Sequence, residues 1–372
     1  MENLITRRNF NTTLAKGLGG AALLSSMPLA CSSADGKKKK LGVALVGLGE
    51  YSTYLLAPAL QETGFCKLAA IVTGTPEKEK IWADKYNIKK ANIYNYENFD
   101  KISENEDIDI VYVVLPNSMH AEFSIRAAQA GKHVICEKPM ATSVKECRDI
   151  IQACNKNGVK LSVGYRLHSE PYTKQLKKYV RESTFGKTLL VSSGAAYLTG
   201  DNWDQWRFNK ALSGGGALMN MGVYAIQGAI YSVGKNPVSV TAQEFSTIPE
   251  KFRDTDETVM AQFEFPGGAV GNVYTSHNAY ADRIFASCSE GWVELSKAFT
   301  YGPLEGRTSA GKIEYPHKIQ QALQMDDFSL HIQDGAQNVA PGEMGLRDLQ
   351  IIEGIYKSIE TGSKVELDLI EV

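Results

Sequence analysis

Beginning at Leu41, short apolar runs alternate with stretches of helical periodicity, and the first junction between the two carries glycines. Leu41-Gly42-Val43-Ala44-Leu45-Val46 is apolar throughout, as a strand covered on both faces must be, and it leads into Gly47-Leu48-Gly49 and an amphipathic stretch ending near Thr63. Lys67 to Val72, Ile108 to Leu115, Lys132 to Cys136 and Lys160 to Gly164 repeat the strand pattern. Pro76 to Tyr86, Met119 to Ala130 and Ser143 to Asn157 read as the helices between them. Pro76 falls in a first turn, where its missing N–H is no loss, and Gly131 follows a helix at the place where a left-handed cap is cheapest. Strands alternating with helices predict parallel βαβ units.

After Tyr165 the period changes. Val191 to Leu198, Val238 to Ser246, Thr258 to Phe265, Ala269 to Ser276 and Arg283 to Cys288 read as strands, with Pro266-Gly267-Gly268 as one of the turns. Helices are expected at about Glu170 to Glu182, Ala217 to Ser232 and Leu346 to Thr361. A chain of 372 residues is long for a single core. The expected fold is therefore α/β: an N-terminal Rossmann dinucleotide-binding domain over 41–164, then a C-terminal α+β domain over 165–372 with a large, mostly antiparallel open sheet. An antiparallel sheet with one uncovered face calls for a partner, so a homodimer or homotetramer is expected.

Gly47-x-Gly49-x-x-Ser52 sits where the first strand meets the first helix. Glycine permits the tight turn and the close approach of a pyrophosphate to the helix N-terminus, where unpaired N–H groups favour an anion. Gly47, Leu48, Gly49, Glu50 and Tyr51 are accordingly expected at the cofactor, although Ser52 replaces the usual third glycine. The second strand ends in Thr73-Gly74-Thr75-Pro76-Glu77-Lys78, without the carboxylate that would accept from the ribose hydroxyls of NAD. Thr73 and Lys78, beside Gly74, suit a 2′-phosphate instead. One charge-assisted hydrogen bond contributes roughly 1.5–3 kcal/mol, so NADP is expected ahead of NAD. Glu77, the competing acid, is expected in the first helical turn.

Cys136-Glu137-Lys138-Pro139 follows a strand at the carboxyl edge of the sheet, where open α/β folds bind ligands. A lysine there can bond the substrate hydroxyl and help to move its proton as hydride leaves the carbon. Asn220 and Tyr224 lie one turn apart on an expected helix, on one face.

Taken with Tyr94-Asn95-Tyr96-Glu97-Asn98-Phe99-Asp100, Leu115-Pro116-Asn117-Ser118-Met119-His120-Ala121-Glu122-Phe123, Ala130-Gly131-Lys132-His133-Val134, Glu137-Lys138-Pro139-Met140-Ala141, Gly164-Tyr165-Arg166, Gln205-Trp206-Arg207, Gly214-Gly215-Gly216 and Pro341-Gly342-Glu343, the chain resembles the glucose-fructose oxidoreductase and inositol dehydrogenase family, and its glucose-fructose oxidoreductase branch most, from Leu41 to the C-terminus. The resemblance implies cofactor contacts at Tyr96, Leu115, Pro116, Asn117, His120, Glu137, Lys138, Arg166, Trp206 and Arg207. It implies Lys138 as the catalytic lysine and Tyr224 as the tyrosine that exchanges a proton with the sugar. Asn220 stands where the family usually has aspartate; an amide can position a hydroxyl but cannot accept its proton. The short span from Cys31 to Leu41 departs from the longer arm with which the branch covers a neighbouring subunit's cofactor.

Residues 1–34 do not read as part of the fold. Thr6-Arg7-Arg8-Asn9-Phe10 opens a small, apolar segment ending at Leu29-Ala30-Cys31, which resembles a twin-arginine export signal, read by a receptor rather than serving as an anchor. Two readings of its end stay open: a lipid anchor at Cys31, or cleavage near Ala34. The apolar stretch is too short and glycine-rich for a transmembrane span. The protein is thus expected in the periplasm or cell envelope, carrying a folded-in cofactor that a second carbonyl substrate reoxidises. Lys37 to Lys40, the one concentrated basic run, reads as a linker over 35–40, and the near balance of 40 basic against 42 acidic residues speaks against a nucleic-acid partner. Cysteines and histidines lack metal-ligand spacing, so no metal site is expected. The reading is a sugar oxidoreductase; a nicotinamide-dependent glycosidase working by transient oxidation and elimination, and a non-catalytic sugar sensor, stay open beside it.

Overall fold

The computed structural model describes residues 39–372; the readings placed on residues 1–38, including the export signal and Cys31, lie outside the described residues. Strands β1 (Leu41–Val46), β2 (Cys66–Val72), β3 (Ile93–Tyr94), β4 (Ile110–Val113), β5 (His133–Cys136) and β6 (Leu161–Val163) form one parallel sheet in the order β3-β2-β1-β4-β5-β6. The order reverses between β1 and β4, which opens a crevice beyond their carboxyl ends. Alternation along β1 divides its side chains between two cores: Ala44 and Val46 enter the one shared with the second domain, Val43 and Leu45 the one beneath Trp82.

The second core closes in an unforeseen way. Helix Gln320–Asp334, far along the chain, returns to the first sheet and supplies Ala322, Met325 and Phe328. Its buried face also carries Gln320, Gln321, Gln324 and Ser329, so the hydrophobic period that would have announced it is diluted by polar residues.

The second sheet is built from β7 (Thr188–Leu198), β8 (Ser239–Phe245), β9 (Thr258–Glu264), β10 (Val270–Ser276), β11 (Asn278–Cys288), β12 (Gly291–Ser296), β13 (Glu305–Thr308), β14 (Gly311–Ile313) and β15 (Val365–Glu366). Its order is β14-β13-β12-β11-β7-β10-β9-β8-β15, antiparallel except where β10 runs parallel to β7. In β9, Val259, Ala261 and Phe263 are buried while Met260 is exposed, so one face is core and the other open. In this sheet β7 and β11 start earlier than the expected Val191 and Arg283, and β12, β13, β14 and β15 were not anticipated, being short or interrupted by glycine and charge, as in Glu305-Gly306-Arg307-Thr308. Helix Gly342–Thr361 begins four residues before the anticipated Leu346, because Gly342 and Gly345, poor helix formers, serve close packing: a Cβ on Gly342 would lie 2.4 Å from the Leu161 side chain.

A π-helical turn, Leu218–Gly222, runs directly into helix Val223–Val233, which lies buried against the core face of the second sheet. Asp256 fixes where it starts. Its carboxylate accepts from the backbone N–H groups of Gly216 and Leu218, each at 2.7 Å, and from the Tyr356 hydroxyl at 2.6 Å. A Cβ on Gly216 would fall 2.0 Å from the Asp256 carbonyl oxygen, so only glycine fits. Replacing Asp256 with alanine strands these buried donors and is expected to destabilise the protein by about 2–4 kcal/mol, read as a lower midpoint in urea unfolding.

Candidate active site

The crevice floor begins where β1 ends. Gly47 has φ +94°, and a Cβ there would meet the Val114 carbonyl oxygen at 2.3 Å; a Cβ on Gly49 would meet nothing within 4 Å. The first glycine is thus required by the turn, and the second leaves open space at the helix N-terminus, where a diphosphate fits. Ser52, in the position usual for a third glycine, is buried and donates to the Gly47 carbonyl at 2.6 Å, which bonds the turn to the helix. Glu50 is exposed in the first turn, and the Tyr51 ring lies 6.1 Å from Tyr301. Burial and the Glu137 carboxylate push the Tyr51 phenol well above its ordinary pKa.

At the end of β2, Thr73 is buried and its hydroxyl accepts from the Thr75 N–H at 3.1 Å, while the Tyr96 ring packs over Gly74. Lys78 donates to the Leu48 carbonyl at 2.8 Å, so its ammonium group sits against the glycine turn; Glu77 lies in the first turn of helix Pro76–Tyr86. After β4, Leu115 is buried and Pro116 half-buried, and Asn117 donates to the Ser213 carbonyl at 2.8 Å. His120 spans from the Pro139 carbonyl (2.8 Å) to the Leu115 carbonyl (2.9 Å), tying this segment to the turn that carries Lys138; burial holds its pKa below the ordinary value.

Lys138 follows β5, with a cis peptide to Pro139. Its Nζ donates to the main-chain carbonyl of Asn220 at 2.8 Å and lies 4.7 Å from the centre of the Tyr224 ring. Burial lowers its pKa to about 7, against the neighbouring Glu137 carboxylate and with help from the cations Arg207 and Arg166. An amine poised there is a competent acceptor for a hydroxyl proton at neutral pH. Glu137 is buried, accepts from the Tyr112 hydroxyl at 2.7 Å, and is itself pushed above the usual carboxylate range by burial. Gly164 makes room for it: a Cβ there would fall 2.6 Å from the Glu137 carboxylate.

Arg166 is buried with its guanidinium between the rings of Tyr224 (5.2 Å) and Tyr301 (4.4 Å), donating to the carbonyls of Thr300 (3.1 Å) and Phe299 (2.5 Å) and to the Gln320 side chain. Burial raises the Tyr224 phenol above its ordinary pKa, so it enters neutral solution as a donor. Asn220, on the π turn, donates through its side-chain amide to the Tyr197 hydroxyl (3.1 Å) and meets His277 Nε2 at 3.0 Å. Arg207 stacks on Trp206 at 4.7 Å.

Apart from Leu115, Pro116, Asn117, His120 and Trp206, placed above, the anticipated residues fall into two groups. Lys138, Glu137, Asn220, Tyr224, Arg166 and Arg207 surround one point, while Gly47 to Tyr51, Thr73, Gly74, Lys78 and Tyr96 line the far part of the crevice. Tyr112, Tyr197, His277, Tyr301 and Gln320 were not anticipated; they come from separate strands, loops and a helix, and no local motif marks them. Replacing Glu137 with glutamine keeps an acceptor for Tyr112 but removes the charge that favours protonated Lys138. An amine that acts as a base must be neutral, so the rate of a step that uses Lys138 in this way should fall as pH drops through about 7 in the native protein, and the fall should move to lower pH in the glutamine variant. Lys138→Met should lower kcat by roughly 10²–10⁴.

Residues 41–165 match the oxidoreductase family with an NAD-binding Rossmann fold, GFO/IDH/MocA, and residues 173–294 match the GFO/IDH/MocA C-terminal domain. The D-xylose 1-dehydrogenase (NADP(+)) of Haloarcula marismortui is 29% identical over 339 residues, 87% of this chain and 92% of that protein. The levoglucosan dehydrogenase of Pseudarthrobacter phenanthrenivorans is 31% identical over 225 residues, 54% of this chain and 57% of that protein. Among solved structures, the aldose-aldose oxidoreductase from Caulobacter crescentus, complexed with glycerol, superposes with a TM-score of 0.86 at 39% identity, covering 88% of this chain and all (100%) of that one. The two models together match more than half of the chain, whose parallel sheet is the Rossmann fold that the first of them describes, and the chain belongs to the GFO/IDH/MocA oxidoreductase family.

Proposed function

We propose that the protein oxidises a sugar at a carbinol carbon, with NADP as a retained cofactor and a second carbonyl compound restoring the oxidised form. The observation that carries the reading is Lys138: its Nζ is placed between the Asn220 carbonyl and the Tyr224 ring, with its proton affinity brought to about neutrality. Relatives named for D-xylose, levoglucosan and aldoses support a sugar as the substrate.

The residues that would hold the nicotinamide dinucleotide are the turn Gly47 to Tyr51, Thr73, Gly74 and Lys78 at the end of β2, and the segment from Leu115 to His120. When bound, the group accepts hydride from the carbinol carbon and can return it. Lys138 takes the hydroxyl proton as that hydride departs, and Tyr224, a neutral phenol, donates to the sugar oxygen. Arg166 keeps Tyr224 in place by stacking on it. Asn220 can orient a hydroxyl but leaves the base role to Lys138.

NADP is favoured over NAD by the missing carboxylate after β2 and by Lys78 against the glycine turn. The relatives include an enzyme named for NADP(+) and a structure with NADH, so the choice rests on this chain's own residues. Retention fits the expected twin-arginine export of a folded, cofactor-loaded protein to the cell envelope, where free NADP would not replace what is lost. A homo-oligomer is proposed to cover the open sheet face, where Leu198, Phe245 and Met260 are exposed.

Mass spectrometry of the purified protein should find NADP bound, and single-turnover absorbance should show an aldose reducing it and an added aldehyde or ketose reoxidising it; purification without nucleotide, with turnover dependent on added NADP, would remove the closed cycle. Lys78→Glu should weaken NADPH binding relative to NADH by about 10–100-fold in fluorescence titrations.

A further inference from the structure

His277 lies between β10 and β11, its backbone N–H bonded to the Glu257 carbonyl at 2.9 Å and the residue 0% exposed. The ring is enclosed by aromatic neighbours: Tyr197 at 5.2 Å, Phe208 at 5.5 Å and Phe252 at 6.4 Å between centres. A phenylalanine would pack there as well. What the imidazole adds is one polar tie, because Nδ1 is buried with no partner and Nε2 meets the side-chain amide of Asn220 at 3.0 Å. That partner is an active-site residue: the same Asn220 holds Lys138 Nζ on its main-chain carbonyl.

We propose that His277 is a positioning residue, a neutral imidazole that accepts from the Asn220 amide and so fixes the Asn220 side chain with its oxygen left to accept a sugar hydroxyl beside the reacting carbinol. The inference rests on the sugar-oxidoreductase reading. An asparagine amide has two hydrogens, and here both are used, one on the Tyr197 hydroxyl and one on His277 Nε2. Its oxygen has no protein partner among the described residues, and Asn220 is only half-buried. Without an acceptor at Nε2 the amide could turn over and present hydrogens where the substrate's hydroxyl must donate. The charged and titratable groups that face the ring are the Lys138 amine, the Arg207 guanidinium and the Tyr197 phenol. Burial, reinforced by Arg207 and by Lys138 when it is protonated, depresses the imidazole pKa to about 3, so it is an acceptor throughout the working range.

The test compares His277→Phe, His277→Gln, Asn220→Ala and the double variant that combines His277→Phe with Asn220→Ala, using D-xylose and D-glucose as probes. His277→Phe should lower kcat/KM by roughly tenfold to a hundredfold, chiefly through KM for the sugar, with NADPH affinity unchanged. His277→Gln, whose amide oxygen can take the place of Nε2, should recover most of the loss. The double variant should be no worse than Asn220→Ala alone, since His277 acts only through Asn220. The proposal is overturned if His277→Phe matches the native protein, if His277→Gln is as impaired as His277→Phe, or if the two losses multiply. Unfolding midpoints separate a packing defect from lost positioning. A native protein that binds NADP in its oxidised form but takes hydride from no aldose sinks the sugar reading and His277's role with it; failure of the variant pattern in an active enzyme sinks the role alone.

Discussion

The proposed chemistry depends on keeping one amine poorly solvated. Lys138 sits where water is partly excluded and two guanidinium groups stand nearby, conditions that disfavour a charged ammonium, and a single carboxylate, Glu137, pulls the other way. The balance leaves the amine able to gain or lose a proton near neutrality. Glu137 can exert its pull only because Gly164 has no side chain and because Tyr112, backed by Gln324, donates to it in the interior.

That balance is assembled from both domains. The parallel sheet supplies Lys138 at the end of β5, and the second domain supplies Asn220 and Tyr224 on the π turn and helix anchored by Asp256. His120, stretched between two carbonyls, joins the wall of the nucleotide crevice to the turn carrying the amine. The proposed cofactor site and the proposed base are therefore linked through one side chain.

How much of this could be read from residues alone depended on locality. The βαβ units, the glycine turn and the lysine after β5 are short, contiguous patterns with periods fixed by backbone geometry, and each was legible. Ser52 looked like a defect in the glycine motif, but its hydroxyl replaces a close packing contact with a bond to Gly47. His277, Tyr197 and Tyr301 were invisible because nothing in a strand's alternation says which distant loop it will face. Helix Gln320–Asp334 escaped for a different reason: its buried face uses glutamines that bond Arg166 and Tyr112, so it reads as polar.

That helix also governs the order in which the molecule can be completed. One face of the parallel sheet, with Val43, Leu45 and Ile71, is covered by Ala322, Met325 and Phe328, and the outer strand β6 is bonded by the Ala340 carbonyl at 2.8 Å from Val163 N. As the chain leaves the ribosome, the nucleotide-binding half must wait, with apolar surface uncovered, until nearly the whole polypeptide has been made. The two halves are thus separate sheets but not separate folding units, and a fragment cut at their sequence boundary would lack a wall of its own core.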